Sequence, residues 1–379
     1  MSEKVLGRND AVMFYSDGRV TVPKEYTVIE KACFKDNKRL VNITLPSTLT
    51  DIGLGAFESS NIKSVVIPDS VTKMERYCFF KCTNLTSVKL SSNLKEITEN
   101  SFFKCGIERI KIPEGVTKIL REAFQCCSKL SEIDLPSTLI SIGNLSFCDT
   151  AVTSVKIPES VTELVSGCFA GCSRLTEINI PTGVKTIEQG ILSGTGIKFI
   201  DVSDRIVEGA FFDKCKNLEG YVLPSNMTKY DYMFFSGLNI TSIKVPEGIT
   251  FIGKECFQGC SMLTSVDLPS SLVKIRSGAF KDTSIRKIVI PEGITKLDEN
   301  CFRRCFKLEK VVLPSNLVEI KDGCFRNTNI YLFEIPRSVI SLGVCVFTDC
   351  RNLKLLKLSQ VLYDSLDQYT LEGIKLELY

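Results

Sequence analysis

Apolar and polar positions recur along this chain with a period of 22 or 23 residues, and each period follows one scheme. A segment of the form L-x-x-I-x-L, such as Leu130, Ile133 and Leu135 or Leu308, Val311 and Leu313, stands directly before a proline. Successive side chains of a strand point to opposite faces, so the fourth and sixth positions of the segment face inward and the third and fifth face solvent. An apolar return leg follows, then a phenylalanine, then the next L-x-x-I-x-L. The pattern predicts a short parallel strand, a turn, a return leg and a Phe-bearing bend in every period.

Two ladders fix the register. All thirteen prolines, from Pro23 and Pro46 to Pro314 and Pro336, lie on it, and Ser91, Ser203 and Ser359 take the place where proline is missing, which makes sixteen marks. Phe34, Phe57, Phe79, Phe102, Phe124, Phe147, Phe169, Phe212, Phe234, Phe257, Phe280, Phe302, Phe325 and Phe347 form the second ladder, broken at Ile191 and Leu192. Fixed spacing of this kind marks a solenoid, whose units bury their apolar faces only against neighbours. Steps of 23 and 22 alternate, so the unit of duplication is a pair of 45 residues.

Proline donates no N–H to a ladder and presets a turn, so it ends each strand. Gly115, Gly183, Gly248 and Gly293 fall two residues later, where a type I turn starting before the proline favours glycine. The expected fold is an α/β-type solenoid rich in β: a curved rod of about sixteen rungs with a parallel sheet on one face, some 75 Å long at about 4.8 Å per rung.

The runs LPSTLTDIGLGAF (45–57), IPEGVTKILREAFQCCSKLSEIDLP (112–136) and LPSSLVKIRSGAF (268–280) resemble leucine-rich repeats of the BspA-like type, found in surface proteins of anaerobic bacteria, spirochaetes and protozoan parasites. The resemblance covers residues 23–359. It implies a leucine-rich-repeat fold and a role as an adhesin or receptor for other proteins, normally with an export signal.

Residues 12–22 read as two strands around the Asp17-Gly18 turn, so 1–22 is expected to form an N-terminal capping hairpin. Leu371, Ile374 and Leu376 repeat the strand pattern, making 360–379 a C-terminal cap with a final short strand, and 23–359 the solenoid between. Rungs 181–224 are irregular, with GILSGTG in place of the Phe bend and a step of 21 residues. A kink or loop is expected there, either as a decayed repeat or as a functional insertion.

Composition narrows the chemistry. The chain of 379 residues has no histidine and no tryptophan, and a net charge of +3. The commonest neutral-pH base and zinc ligand is therefore absent, and nothing attracts nucleic acid or an acidic membrane in bulk. The start, MSEKVLGRNDAVMFYSDG, has no apolar stretch of signal-peptide length and no transmembrane run occurs, so the sequence by itself predicts a cytoplasmic protein, whereas the resemblance implies the cell surface.

Seventeen cysteines raise the question of chemistry against packing. Cys301 exchanges with Ala56, Ala123 and Ala279 at equivalent positions, and Cys305 recurs as Cys82, Cys172 and Cys260 three residues before the strand leucine, so both read as small apolar core positions. No metal site is expected. Cys82, Cys105, Cys127, Cys148 and Cys172 occupy near-equivalent places within disulfide range, yet the odd count and the missing export signal favour free buried thiols. Five glycosylation sequons begin at Asn42, Asn84, Asn144, Asn226 and Asn239 and matter only in a secreted protein.

No phosphate loop, nucleophile elbow or carboxylate pair stands outside the repeat, so the expectation is a non-enzymatic protein-binding module without cofactor or metal. The alternatives are an intracellular regulatory scaffold rather than a surface adhesin, or an enzyme with its site in rungs 181–224. Function is sought on the exposed strand face. Lys111, Asp134 and Lys156, and Lys244 with Asp267, alternate in sign and read as structural pairs. Lys287, Val289, Lys310, Val312 and Leu332 form the candidate partner site, an apolar anchor with a basic rim. Phe199 and Asp201 form the second candidate. The partner is expected to be another protein, with no nucleic acid and no membrane insertion.

Overall fold

The structure, a computed structural model, describes residues 3–365 and 374–379. The chain divides into two compact units, residues 1–198 and 199–379. Both are built from one kind of rung, and the fold is a β-solenoid of about 16 turns with parallel strands.

The rung at Pro291 shows how the sequence folds. Strand Lys287–Val289 buries Ile288 and exposes its neighbours, as the alternation predicts. The turn that follows begins at the proline, because the Pro291 carbonyl accepts the Ile294 N–H at 3.0 Å. The expected turn was placed one residue too early. Glycine is then the third residue of the turn, where Gly115 and Gly248 adopt φ of 94° and 96°, a region costly for other residues. At Gly293 the reason is proximity, since a Cβ there would lie 2.4 Å from the Leu272 carbonyl oxygen.

The return leg is itself a strand, Lys296–Leu297 in this rung, and such two-residue strands build further parallel sheets of two to six strands that the apolar pattern alone did not reveal. The bend forms a third ladder: Asn300, Phe302 and Arg304 donate their N–H groups to the carbonyls of Asp322, Cys324 and Arg326 on the next rung. Asn300 and Arg304 take φ of 57° and 61°, so left-handed residues flank the phenylalanine on both sides. These non-glycine conformations each cost about 1 kcal/mol, which the inter-rung hydrogen bonds offset.

The strand face is a series of bonded groups rather than one continuous sheet. In unit 2 Ser242–Lys244 pairs with Ser265–Asp267, and Lys287–Val289 with Lys310–Val312. Regular partners lie 23 residues apart; a 22-residue step leaves a seam, apart from the single register contact Asn42↔Ser64 in unit 1. The difference arises in the bend, where Phe302 stands six residues before Leu308 but Phe280 only five before Ile285.

Phenylalanine rings stack through the core of each unit. In unit 1, Phe34, Phe57, Phe79, Phe102, Phe124, Phe147 and Phe169 stack at centroid spacings of 4.9–5.5 Å with planes within 7°. In unit 2 the stack runs Phe235, Phe257, Phe280, Phe302 and Phe325 at 5.3–5.4 Å. Phe235, not Phe234, holds the ladder position, because its N–H bonds Cys256 on the next rung while the Phe234 ring stacks on Tyr230 at 5.5 Å. Leu192 fills the place in the broken rung of unit 1 and is fully buried.

The cysteines belong to the bends. In six of the long bends the residue three after the phenylalanine is Cys82, Cys127, Cys172, Cys260, Cys305 or Cys350, and its thiol donates to the preceding rung's Phe carbonyl at 2.9–3.1 Å. Short bends place Ser60, Thr150, Thr283 or Thr328 there, within 3.2–3.5 Å of the next rung's sulfur. Cys105 is a short-bend thiol with the same bond, 3.0 Å to the Phe79 carbonyl. Cys148 is therefore not equivalent to Cys127 and Cys172; Thr150 is. Burial pushes the Cys127 and Cys305 thiols up to about 12.

At the start, Tyr15–Ser16 and Arg19–Thr21 form an antiparallel pair around Asp17 and Gly18, and Arg19–Thr21 pairs onward with Asn42–Thr44. Val5–Leu6 adds the first strand of a return-leg sheet by pairing with Val28–Ile29. At the end, Lys375–Leu378 pairs in parallel with Leu355–Leu358; Leu371 lies outside the described residues. Strand Phe199–Asp201 keeps register with Gly220–Val222. Its rung contains no inserted loop, because the turn between Asp201 and Ile206 is shorter than the regular turn between Val289 and Lys296.

Candidate functional site

Lys287, Val289, Lys310 and Val312 come together on one pair of bonded parallel strands in unit 2. Lys287 stands opposite Lys310, and Val289 opposite Val312. Val289 is 53 % exposed and Val312 39 %. Leu332, on strand Leu332–Glu334 of the next rung, is 45 % exposed. The inward residues Ile288, Val311 and Phe333 anchor these strands, so the outward side chains sit on a rigid base.

The comparison surface in unit 1 behaves differently. Arg109 meets Glu132 at 3.2 Å and Lys111 meets Asp134 at 3.7 Å, both across a bonded strand pair. These exposed pairs contribute about 0–1 kcal/mol each. Lys156 has no ion pair among the described residues, so the structural pairing in unit 1 ends at Asp134.

Phe199 and Asp201 lie four rungs from Lys287 and join no common surface with it. The Phe199 ring lies over Gly220, where a Cβ would approach it to 3.1 Å. Asp201 accepts the Ser203 N–H at 2.9 Å, and this bond holds its carboxyl below the usual range. That bond gives Asp201 a local role: it closes the turn in which serine replaces proline.

Three surface features escaped the sequence. A hollow of about 770 Å³ opens at the seam beside Lys287–Val289, lined by Lys244, Asp267, Leu268, Arg286, Lys287, Val289, Pro291 and Glu292 among others. Exposed Phe306 lies by the Arg304 guanidinium, 5.8 Å from its ring centre, and Tyr331, next to Leu332 in the chain, is exposed as well. Val273, Val318 and Ile340 are exposed apolar side chains just before the return-leg strands, with Thr295 on the rung between the first two. Each could have been found by aligning rung positions, but only the structure shows which strands bond and where seams open.

Among the described residues no group of three or more His, Cys, Asp or Glu side chains is arranged to hold a metal ion. Likewise, no helix there is long and apolar enough to cross a membrane.

The sequence matches the family described as BspA type leucine rich repeat region (6 copies) over residues 13–131, 95–219, 205–309 and 228–354. No curated protein matches the chain. Among solved structures, it is similar to a leucine rich cell surface protein from Faecalibacterium prausnitzii A2-165, with 22% identity, 95% of this chain and 91% of that chain covered, and a TM-score of 0.55. It is also similar to a leucine-rich repeat protein from Eubacterium ventriosum ATCC 27560, with 21% identity, 88% and 82% covered, and a TM-score of 0.53. At these identities the likeness concerns the fold.

Proposed function

The chain belongs to the BspA-type leucine-rich repeat family, and from that premise we propose that it is a non-enzymatic protein-binding module acting through the exposed strand face of unit 2. The observation that carries this reading is the cluster Val289, Val312 and Leu332, three exposed apolar side chains on rigid strands beside Lys287 and Lys310. Apolar anchors with a polar rim are the usual energetic centre of an interface. The long side chains of the rim steer the encounter.

The test compares two sets of variants in recovery of the partner from the native source. Val289→Ser and Val312→Ser should each weaken partner binding about fivefold or more while leaving folding intact, because both side chains already meet solvent. Lys111→Ala, Asp134→Ala and Lys156→Ala should leave it unchanged. Partner loss from the second set with none from the first would place the site on the wrong unit.

Two observations bear on location. The F. prausnitzii protein similar in fold is described as a cell surface protein, which supports an adhesin. The thiols that donate to Phe carbonyls in the long bends support a reduced protein and hence an intracellular scaffold, the reading we favour. Seventeen titratable thiols in the denatured native protein would uphold it; glycan on exposed Asn226 would reverse it.

A further inference from the structure

On the strand face of the described residues, in-register partners that are both charged carry opposite signs at every position but one. Arg109 faces Glu132, Lys111 faces Asp134, Lys244 faces Asp267, Glu334 faces Lys357, and Lys357 faces Glu377. Lys287 faces Lys310. Like charges directly opposite each other destabilise a sheet, and neither ammonium has a carboxylate within ion-pair distance in the described residues. The fold alone has no use for this pair.

Two residues along the same strands, Val289 faces Val312. The face therefore carries a lysine row and an apolar row, separated by about 6.7 Å at roughly 3.3 Å per residue. Residues i and i+2 of any extended chain are the same distance apart and point the same way. An extended segment lying along these strands thus sets one side chain over the lysines and the next same-side one over the valines. Beside Val289 the seam hollow of about 770 Å³, with Leu268 and Pro291 in its wall, gives an apolar side chain room.

We infer that the occupant of this face is an extended acidic segment of a partner protein with the pattern acidic-x-apolar, its carboxylate bridging Lys287 and Lys310 and its apolar side chain resting on Val289 and Val312. The inference rests on the reading of this face as a protein-binding surface. A carboxylate offers two oxygens, one for each ammonium, and converts the repulsion into two charge-assisted bonds. A wholly apolar occupant would bury two lysines unpaired, and a basic one would add a third positive charge.

The probes are fluorescein-labelled nine-residue peptides measured by anisotropy on the full chain. One carries Glu-x-Leu repeats, a second has the same composition with Glu and Leu out of i, i+2 phase, and a third has Lys for Glu. Heparin is added as a competing polyanion. The in-phase peptide should bind at least tenfold tighter than the other two. Lys287→Glu with Lys310→Glu should weaken it at least tenfold, Val289→Ser with Val312→Ser about as much, and Lys111→Glu should not.

Lys310→Glu alone places a carboxylate opposite Lys287 and should keep or raise the melting temperature while abolishing binding, which separates loss of the site from loss of folding. Equal binding of the in-phase and out-of-phase peptides overturns the inference. So does tight heparin binding that depends on both lysines with no peptide bound. Preference for the Lys peptide, lost on Val289→Ser with Val312→Ser, overturns the acidic partner while sparing the face as a binding surface. Recovery of the native partner unaffected by any of these substitutions overturns the face itself.

Discussion

Replacing Phe257 with alanine tests the stacked core. Its ring is fully buried and lies between Phe235 and Phe280, each 5.3 Å away with planes within 6°. Removing a buried ring costs about 3–5 kcal/mol in transfer and cavity terms, and each stacked neighbour loses a contact of about 0.5–1.5 kcal/mol beyond its area. The backbone on both sides is held by inter-rung hydrogen bonds, for example from the Phe257 N–H to Ala279 at 2.8 Å, so the cavity has little freedom to collapse. A value at the upper end, about 5 kcal/mol, follows. Phe347 is 7 % exposed and 6.1 Å from Phe325, with no further ladder ring beyond it among the described residues; its alanine variant should cost about 3 kcal/mol. Phe257→Leu should cost only about 1.5 kcal/mol, because Leu192 occupies the same ladder position fully buried. Urea melts followed by circular dichroism measure the series: with a slope of about 3 kcal/mol/M, Phe257→Ala moves the midpoint by about 1.7 M. Equal small shifts for Phe257→Ala and Phe347→Ala would refute the argument that stacked neighbours confine the cavity.

Thiol accessibility and pH provide two more predictions. In the native protein only exposed Cys345 and half-buried Cys126 should react quickly with a thiol reagent, with the other fifteen reacting after denaturation; fast reaction of Cys127 or Cys305 would contradict their burial. Burial raises these thiols from 9.0 to about 12, so the stability they contribute is full below pH 9 and is lost as pH rises toward 12, which alkaline melts should show. On the acid side, N–H groups of Ser270 and Ser271 hold the Glu247 carboxyl below its usual range. Its contribution is present above the unfolded value and is lost as pH falls through the folded one, so Glu247→Gln should flatten the acid limb of stability against pH. An unchanged acid limb would mean the inter-rung bonds from Ser270 and Ser271 contribute nothing.

Most of the rung was legible because inward and outward positions repeat without interference: Ile288, Ile110 and Val266 are buried where the alternation puts them. What escaped has local causes. Phe234 and Phe235 are adjacent and both apolar, so counting by 22 or 23 selects either, and only stacking on Phe257 decides. Return-leg strands such as Lys296–Leu297 are two residues long, too short to show an alternation. The long and short bends differ by one residue, which decides whether neighbouring strands bond; thus the exposure of Lys287 and Lys310 was readable, but not their placement opposite each other.

The most direct test of the account is a hydrogen-exchange footprint of the partner-bound chain, since it reports which backbone amides the partner covers. Strands are bonded to neighbours on this face, but amides that point into a seam exchange unless a partner lies over them. Added protection should concentrate at residues 286–292, 310–313 and 331–334. Protection confined to residues 109–134, or spread over the return legs at Val273, Val318 and Ile340 with residues 286–313 unchanged, would contradict it.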